Sequence, residues 1–220
     1  MSHVHASAPG KAVLSGEYAV LQGAPAICMA VNNRAIVTIT RVEEPWHSVS
    51  APGYSSGEGR FVSNGSAPEW LQGEDDYPLV DVAWRALGPD SDVGLEIELD
   101  TRAFFDDKSG AKLGLGSSAA LTVALTAALM QSTAVCDEAL RIHREFQAGA
   151  GSGVDVAASA RGGLLKYRMQ GAQTMPLRWP TGLDYRLVWT GVPASTAGKL
   201  QQFRSASPKR SYEALIRAAA

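Results

Sequence analysis

The stretch "AKLGLGSSAALTVALTAALM", Ala111 to Met130, decides the fold. A lysine and two glycines lead, two serines follow, and then comes a run without a charge, rich in alanine, leucine and valine. Glycine lets a backbone approach a ligand closely and take positive φ. A helix opening at the serines presents unpaired backbone N–H groups and the positive end of its dipole. Together these make an anion site, most often for phosphate. Ser117 and Ser118 can add hydroxyls toward a phosphate or a magnesium ion. Lys112 can add positive charge. The helix behind, read over Ser118 to Gln131, is buried nearly all round and serves as rigid support. The plainer alternative is that one serine is an N-cap and the glycines make a tight turn. "GLGSSA" also matches the dinucleotide pattern G-x-G-x-x-A. That reading requires a strand ending just before Gly114, and none is read there. Asp137 lies at the distance of the ribose acid but opens a helix. The Walker pattern, GxxxxGK followed by Ser or Thr, is absent.

Working outward, 220 residues make one large domain or two small ones. Hydrophobic residues at 45% and charged residues at 19% support a packed core and argue against wholesale disorder. A net charge of −2 carries no basic excess of the kind a nucleic-acid surface needs. Cys28 and Cys136 belong to no CxxC pair, so neither a zinc site nor a disulfide framework is indicated. The opening "MSHVHASAPGK" has no apolar signal region, and the uncharged run is too short and interrupted to span a membrane. The expectation is a cytoplasmic protein with reduced thiols, working on a small molecule, with a homodimer left open.

Along the chain, Val4 to Ser7 reads as a short strand, followed by a loop-like "APGKAVLSGEYAVLQGAPA" punctuated by Pro9-Gly10, Ser15-Gly16 and Gly23. "AICMAV" and Ala35 to Val42 read as strands on either side of an Asn32-Asn33 turn. Residues 50 to 76 read as a long loop with a small hairpin around Arg60 to Val62. Tyr77 to Leu87 has helical spacing of apolar residues. "VGLEIELD" alternates Val93, Leu95, Ile97 and Leu99 with acids, which predicts a half-buried strand. Asp137 to Phe146 and Val154 to Ala160 read as helices. Leu164 to Met169 and Tyr185 to Thr190 read as strands, and "SYEALIRAAA" as a final helix. The elements do not alternate as in a doubly wound sheet, so an α+β layer structure is expected, with a boundary near Arg178 to Asp184.

Two more stretches carry chemistry. In "GAGSGVDVAAS", Gly149 to Ser159, a glycine-rich turn enters a small-residue helix with Asp155 in its first turn. Asp155 is either a base or orienting group for an acceptor, or an acid stabilised by the helix dipole. In "APGKAVLSGEYAVL", Lys11 follows a Pro-Gly turn and Glu17 follows Ser15-Gly16. Lys11 is either solvated surface or a charge clamp in a phosphate site, and Glu17 either a surface acid or its partner.

In order, "APGKAVLSGEYAVLQGAPAI", "KLGLGSSAALTVAL" and "GSGVDVAASARGG" resemble the motifs of the GHMP kinases, the family of galactokinase, homoserine kinase, mevalonate kinase and phosphomevalonate kinase. The resemblance covers most of residues 6 to 167. It implies a ribosomal-protein-S5-domain-2-like α/β layer domain over 1–180 and the start of a ferredoxin-like domain over 181–220. It implies ATP and Mg2+ as cofactors. Lys112, Gly114, Leu115, Gly116, Ser117, Ser118 and Ala119 would hold the ATP phosphates. Lys11 and Asp155 would be catalytic. Lys11, Glu17, Tyr18, Ser152, Gly153 and Asp155 would meet the acceptor, and Ser118 and Glu145 the metal. Arg141 and Arg144 are read as solvated helix residues, and His143 as a partly buried one. Within the family, Tyr18 stands where mevalonate kinases usually carry histidine, and "GSGVDVAAS" and "WTGVPAST" resemble phosphomevalonate kinase. That favours phosphorylation of a small phosphorylated alcohol, with mevalonate kinase or a non-catalytic binding homologue as alternatives. The third glycine-rich motif of the family is not found before Ala220, so a fragment or a reduced homologue is expected.

Overall fold

The computed structural model describes residues 3–64, 67–88 and 93–191. Its spine is one long strand. The β-branched run of Ala26–Val42 (β2) continues unbroken through Asn32 and Asn33, where a turn is expected from sequence. Along one edge it pairs antiparallel with His3–Ser15 (β1). That pairing overturns the loop expected after Ser7. The register jumps between Pro9 and Gly10, from Arg34 to Val31, so Asn32 and Asn33 form a bulge opposite the Pro-Gly pair. An edge strand tolerates proline because that side needs no ladder N–H. Asn33 Nδ2 donates to the Ala103 carbonyl, which ties the bulge to the loop before the glycine-rich turn.

The other edge of β2 serves two partners. Its C-terminal part, Ile36 to Val42, pairs with Gly94–Asp100 (β6). Its start, Ala26 to Met29, pairs with Leu164–Arg168 (β7). Beyond β6 lie His47–Ser50 (β3), parallel to it, then Gly59–Asn64 (β4) and Ala67–Gln72 (β5). Beyond β7 lies Gln173–Leu177 (β8). The sheet of eight strands runs β5-β4-β3-β6-β2-β7-β8, with β1 added to β2. The long loop expected over 50 to 76 thus holds two strands, and the small hairpin expected around Arg60 to Val62 is present as β4 paired with β5. The strand expected over Tyr185 to Thr190 is not formed: among the described residues no strand lies beside it, and Val188 is 82% exposed. A β-branched composition without a partner does not make a strand. The expected helix over 211–220 lies outside the described residues.

Among the described residues four α-helices complete the fold: Pro78–Leu87 (α1), Ser117–Met130 (α2), Cys136–Phe146 (α3) and Val154–Arg161 (α4). They pack on one another, and α2 and α4 also pack on β1 and β2. Leu95, Ile97 and Leu99 of β6 are buried under this layer, while Glu96 and Glu98 face out. The layered α+β arrangement expected from sequence is present. The main core joins α1, α2 and α3 to β2, β3, β4 and β6 around Trp84, Phe61 and Ile97. Among the described residues no helix is long and apolar enough to cross a membrane.

His47 sits in that core, 5% exposed, between the rings of Phe61 and Trp84 at 4.9 and 4.6 Å. Its Nδ1 accepts the Leu95 N–H at 3.1 Å, so this nitrogen is unprotonated in the fold. Burial holds His47 below the ordinary histidine value. As pH falls, the unfolded chain therefore takes up the proton first. Stability is full above the unfolded value of about 6.5 and is lost as pH falls below it toward the folded value. His143 shifts the same way. Thermal melts from about pH 7.5 to about pH 5 should show a falling midpoint, and His47→Gln should make that fall shallower.

Candidate active site

The uncharged helix α2 begins at Ser117, behind Gly116 in the left-handed region at φ +78°. No side chain caps it, so the N-cap alternative for the serines does not hold. Its first backbone N–H groups open toward a cleft. No strand precedes Gly114, only an isolated bridge between Phe105 and Lys112, which removes the dinucleotide-fold alternative.

β1 forms the second wall. The Lys11 N–H donates to the Leu115 carbonyl at 2.8 Å, which fastens the glycine-rich turn to the strand beside its bulge. Gly10 makes this approach available: a Cβ there would lie 2.6 Å from both the Leu115 oxygen and a Phe104 ring carbon. Gly116 is equally constrained, because a Cβ would lie 2.9 Å from Lys11 Cγ. The Lys11 stem thus lies across the mouth of α2.

The third wall is α4 and the turn before it. Gly149, Gly151 and Gly153 all take positive φ. A Cβ on Gly153 would strike Leu140 Cδ2 at 2.6 Å. Tyr167 Oη donates to the Ser152 carbonyl at 2.7 Å and pins the turn; burial pushes this phenol up to about 12. Asp155 sits half-buried in the first turn of α4, and its Oδ1 accepts the Val156 N–H at 3.0 Å.

Together these walls enclose a cleft of about 250 Å³. Lys11, Glu17, Tyr18, Lys112, Gly114, Gly116, Ser117, Ser118, Ser152 and Asp155 line it. Cys28 lies beneath and reports the charges above. Burial lifts its thiol to about 11, with Lys11 opposing and Asp155 adding to the rise. An apolar pocket with Tyr54, Tyr77, Leu79 and Phe146 adjoins the cleft and shares Lys112, Ser117 and Ser118 with it. Lys112 Nζ stands 5.5 Å from the Tyr54 ring centre and 5.8 Å from that of Phe105.

Four expected residues sit elsewhere. Ala119 is fully buried in the core, and Leu115 contributes its carbonyl to Lys11 while its side chain packs near Phe104. Gly153 shapes the turn rather than the cleft wall. Glu145 is exposed on α3, where its charge acts on Arg85 of α1. Two residues along a helix turn a side chain by about 200° from the face that carries His143. His143 is the α3 residue that reaches Ser118 from behind the cleft: it is 2% exposed, and its Nε2 lies 3.3 Å from Ser118 Oγ. Burial holds it below the ordinary histidine value, with Asp155 opposing. Gln147, one turn further along α3, also lines the cleft. Their i,i+4 spacing ahead of the glycine turn was the available signal.

Residues 79–163 match the family described as GHMP kinases N terminal domain. These residues are a GHMP kinase N-terminal domain. The chain is 27% identical over 226 residues to the phosphomevalonate kinase of Saccharolobus solfataricus, an alignment covering 97% of this chain and 66% of that protein. It is 35% identical over 167 residues to the mevalonate kinase of Methanothermobacter thermautotrophicus, covering 73% of this chain and 48% of that protein. The chain thus spans less than two thirds of these relatives' own length. The fold is also that of Streptococcus pneumoniae phosphomevalonate kinase, solved in complex with phosphomevalonate and AMPPNP, with a TM-score of 0.68 at 17% identity. That comparison covers 100% of this chain and 74% of that one.

In this GHMP kinase domain the cleft depends on the contact at Gly10. Gly10→Ala should cost about 1–3 kcal/mol by overpacking, measured by urea denaturation. It should also weaken nucleotide binding, because relief of the clash moves the glycine-rich turn off β1. Unchanged stability and binding would show that the turn is held by other contacts.

Proposed function

We propose that this chain is the nucleotide- and acceptor-binding part of a kinase. It moves the γ-phosphoryl group of ATP onto the phosphate of phosphomevalonate, giving diphosphomevalonate. The observation that carries this reading is the meeting of Lys11, the open N-terminus of α2 and Asp155 around one cleft. The α2 N–H groups, Ser117 and Lys112 bind the nucleotide phosphates. The adjoining apolar pocket, with its tyrosines, takes the adenine ring. The acceptor enters from the side of Tyr18 and Ser152.

An acceptor phosphate oxygen attacks the γ-phosphorus, and the bond from that phosphorus to the ADP oxygen breaks. An acceptor already ionised near neutral pH has no proton to give up. Asp155 then orients the acceptor, and the Lys11 ammonium neutralises charge gathering on the transferring group. Ser118 and Asp155 are the oxygen donors that would hold Mg2+. Among the described residues no cluster of three or more His, Cys, Asp or Glu forms a metal cage. Such a sparse donor set matches an ion carried mainly on substrate phosphates. Mg2+ bound there supplies neutralisation of phosphate charge.

The phosphomevalonate reading is supported by the Saccharolobus relative and by Tyr18 in the first motif. Mevalonate is the second reading, favoured by the higher identity to the Methanothermobacter protein. Residues 181–220 are proposed to begin a second domain that completes the acceptor side.

ADP release from ATP and Mg2+, with phosphomevalonate and mevalonate as separate acceptors, distinguishes the two. Turnover with phosphomevalonate alone is expected. Lys11→Met and Asp155→Asn should each lower it by about 10²–10³ with unchanged melting curves. Full turnover in either variant would remove that residue from the mechanism.

A further inference from the structure

On the phosphate-binding reading of the cleft, one contact calls for a role of its own. Ser118 has little freedom left. Its carbonyl accepts the Thr122 hydroxyl at 2.8 Å, and its backbone is locked in the first turn of α2. What remains is rotation of its hydroxyl. The heavy atom within reach is His143 Nε2, 3.3 Å away, on a side chain 2% exposed. A hydroxyl that offers its lone pairs to a cation must send its proton elsewhere. An uncharged imidazole has one ring nitrogen able to take it.

We propose that His143 is a positioning residue that accepts the Ser118 hydroxyl proton in a hydrogen bond and so turns the hydroxyl's lone pairs toward a phosphate-borne divalent cation. This assigns α3 a part in cation binding through His143 rather than Glu145, and without a second carboxylate. Of the cleft's two acids, Glu17 and Asp155, only Asp155 then joins Ser118 in holding the cation, which depends on the orientation of a neutral oxygen. Outer partners of metal-bound groups act in this way, fixing the ligand rather than touching the ion.

The test is binding of a fluorescent ADP analogue to the whole chain, once with Mg2+ and once with EDTA. His143→Leu should weaken binding about tenfold with Mg2+ and leave the EDTA value unchanged. His143→Gln, whose amide oxygen can accept the same proton, should stay close to wild type. Ser118→Ala should fall as far as His143→Leu, and the double variant no further. Equal Mg2+-dependent binding in wild type and a folded His143→Leu protein would overturn the proposal. So would a Gln variant as weak as Leu, or additive losses in the double variant. A second readout needs no variant: nitrogen NMR of the wild-type ring should find Nε2 unprotonated, and a proton on Nε2 would overturn the assignment. Wild-type protein that binds the nucleotide no better with Mg2+ would instead sink the phosphoryl-transfer reading, and the ring tautomer would then decide the role of His143 by itself.

Discussion

The backbone hydrogen bond from the Lys11 N–H to the Leu115 carbonyl, 2.8 Å long, joins two parts of the chain that the rest of the site presupposes. One is an edge strand bent by a bulge; the other is the turn that opens α2. Gly10 and Gly116 are bare on the facing surfaces, and in each a Cβ would overlap its neighbour. The contact brings the lysine stem across the helix mouth, where the donors that seek an anion are found. Remove the closeness and the cation, the dipole and the hydroxyls become separate surface features with little collective field.

The opposite wall is built by the same logic with different parts. A run of glycines in left-handed conformations turns sharply into α4, and Tyr167 holds the turn from below through the Ser152 carbonyl. The result places an acid in the first turn of a short helix, facing a lysine on a strand. Cys28 lies under both and stays a thiol, since burial outweighs the nearby ammonium. The site is thus framed by rigid elements: a sheet edge, a buried helix and a pinned turn. Such framing is what a phosphoryl transfer demands, because its catalysis lies in alignment and charge rather than covalent chemistry.

Much of this was legible in the sequence, and the misses have physical causes. The helices were readable from apolar spacing and from the uncharged run after Ser117. β6 was readable from the alternation of Leu95, Ile97 and Leu99 with glutamates. Pro9-Gly10 and Asn32-Asn33 read as breakers, yet they sit opposite one another in a bulge of a continuous ribbon. A local rule cannot see that a partner strand will absorb the irregularity. β4 was readable as a hairpin around Arg60 to Val62, while β3 and the extent of β5 were hidden because Gly, Ser and Pro dilute the pattern, although Phe61 and Trp70 pack across β4 and β5. In the site, Lys11, Ser118 and Asp155 stood out through motif order. His143 did not, since a histidine on a helix carries no sign of what lies across from it until α2 and α3 are packed. Glu145 was the candidate that the family resemblance implied, and helical geometry sends it to the other side.

The division of β2 between two neighbours has a consequence for how the chain is assembled. Its C-terminal part can be zipped to β1 and β6 once residue 100 has been made. Its first residues must wait for β7, where Ala26 meets Tyr167. Contacts of such long sequence separation form slowly and late. The glycine-rich turn and Lys11 are thus both made, and able to meet on a half-finished sheet, before Asp155 and the tyrosine that secures its turn. On the proposed reading, the Lys11 side of the cleft is complete first, and Asp155 arrives later with α4. On that same reading, an anion that reaches the incomplete chain meets Lys11 and the mouth of α2 with Glu17 as the cleft's one carboxylate, and growth of the sheet brings in the second, Asp155.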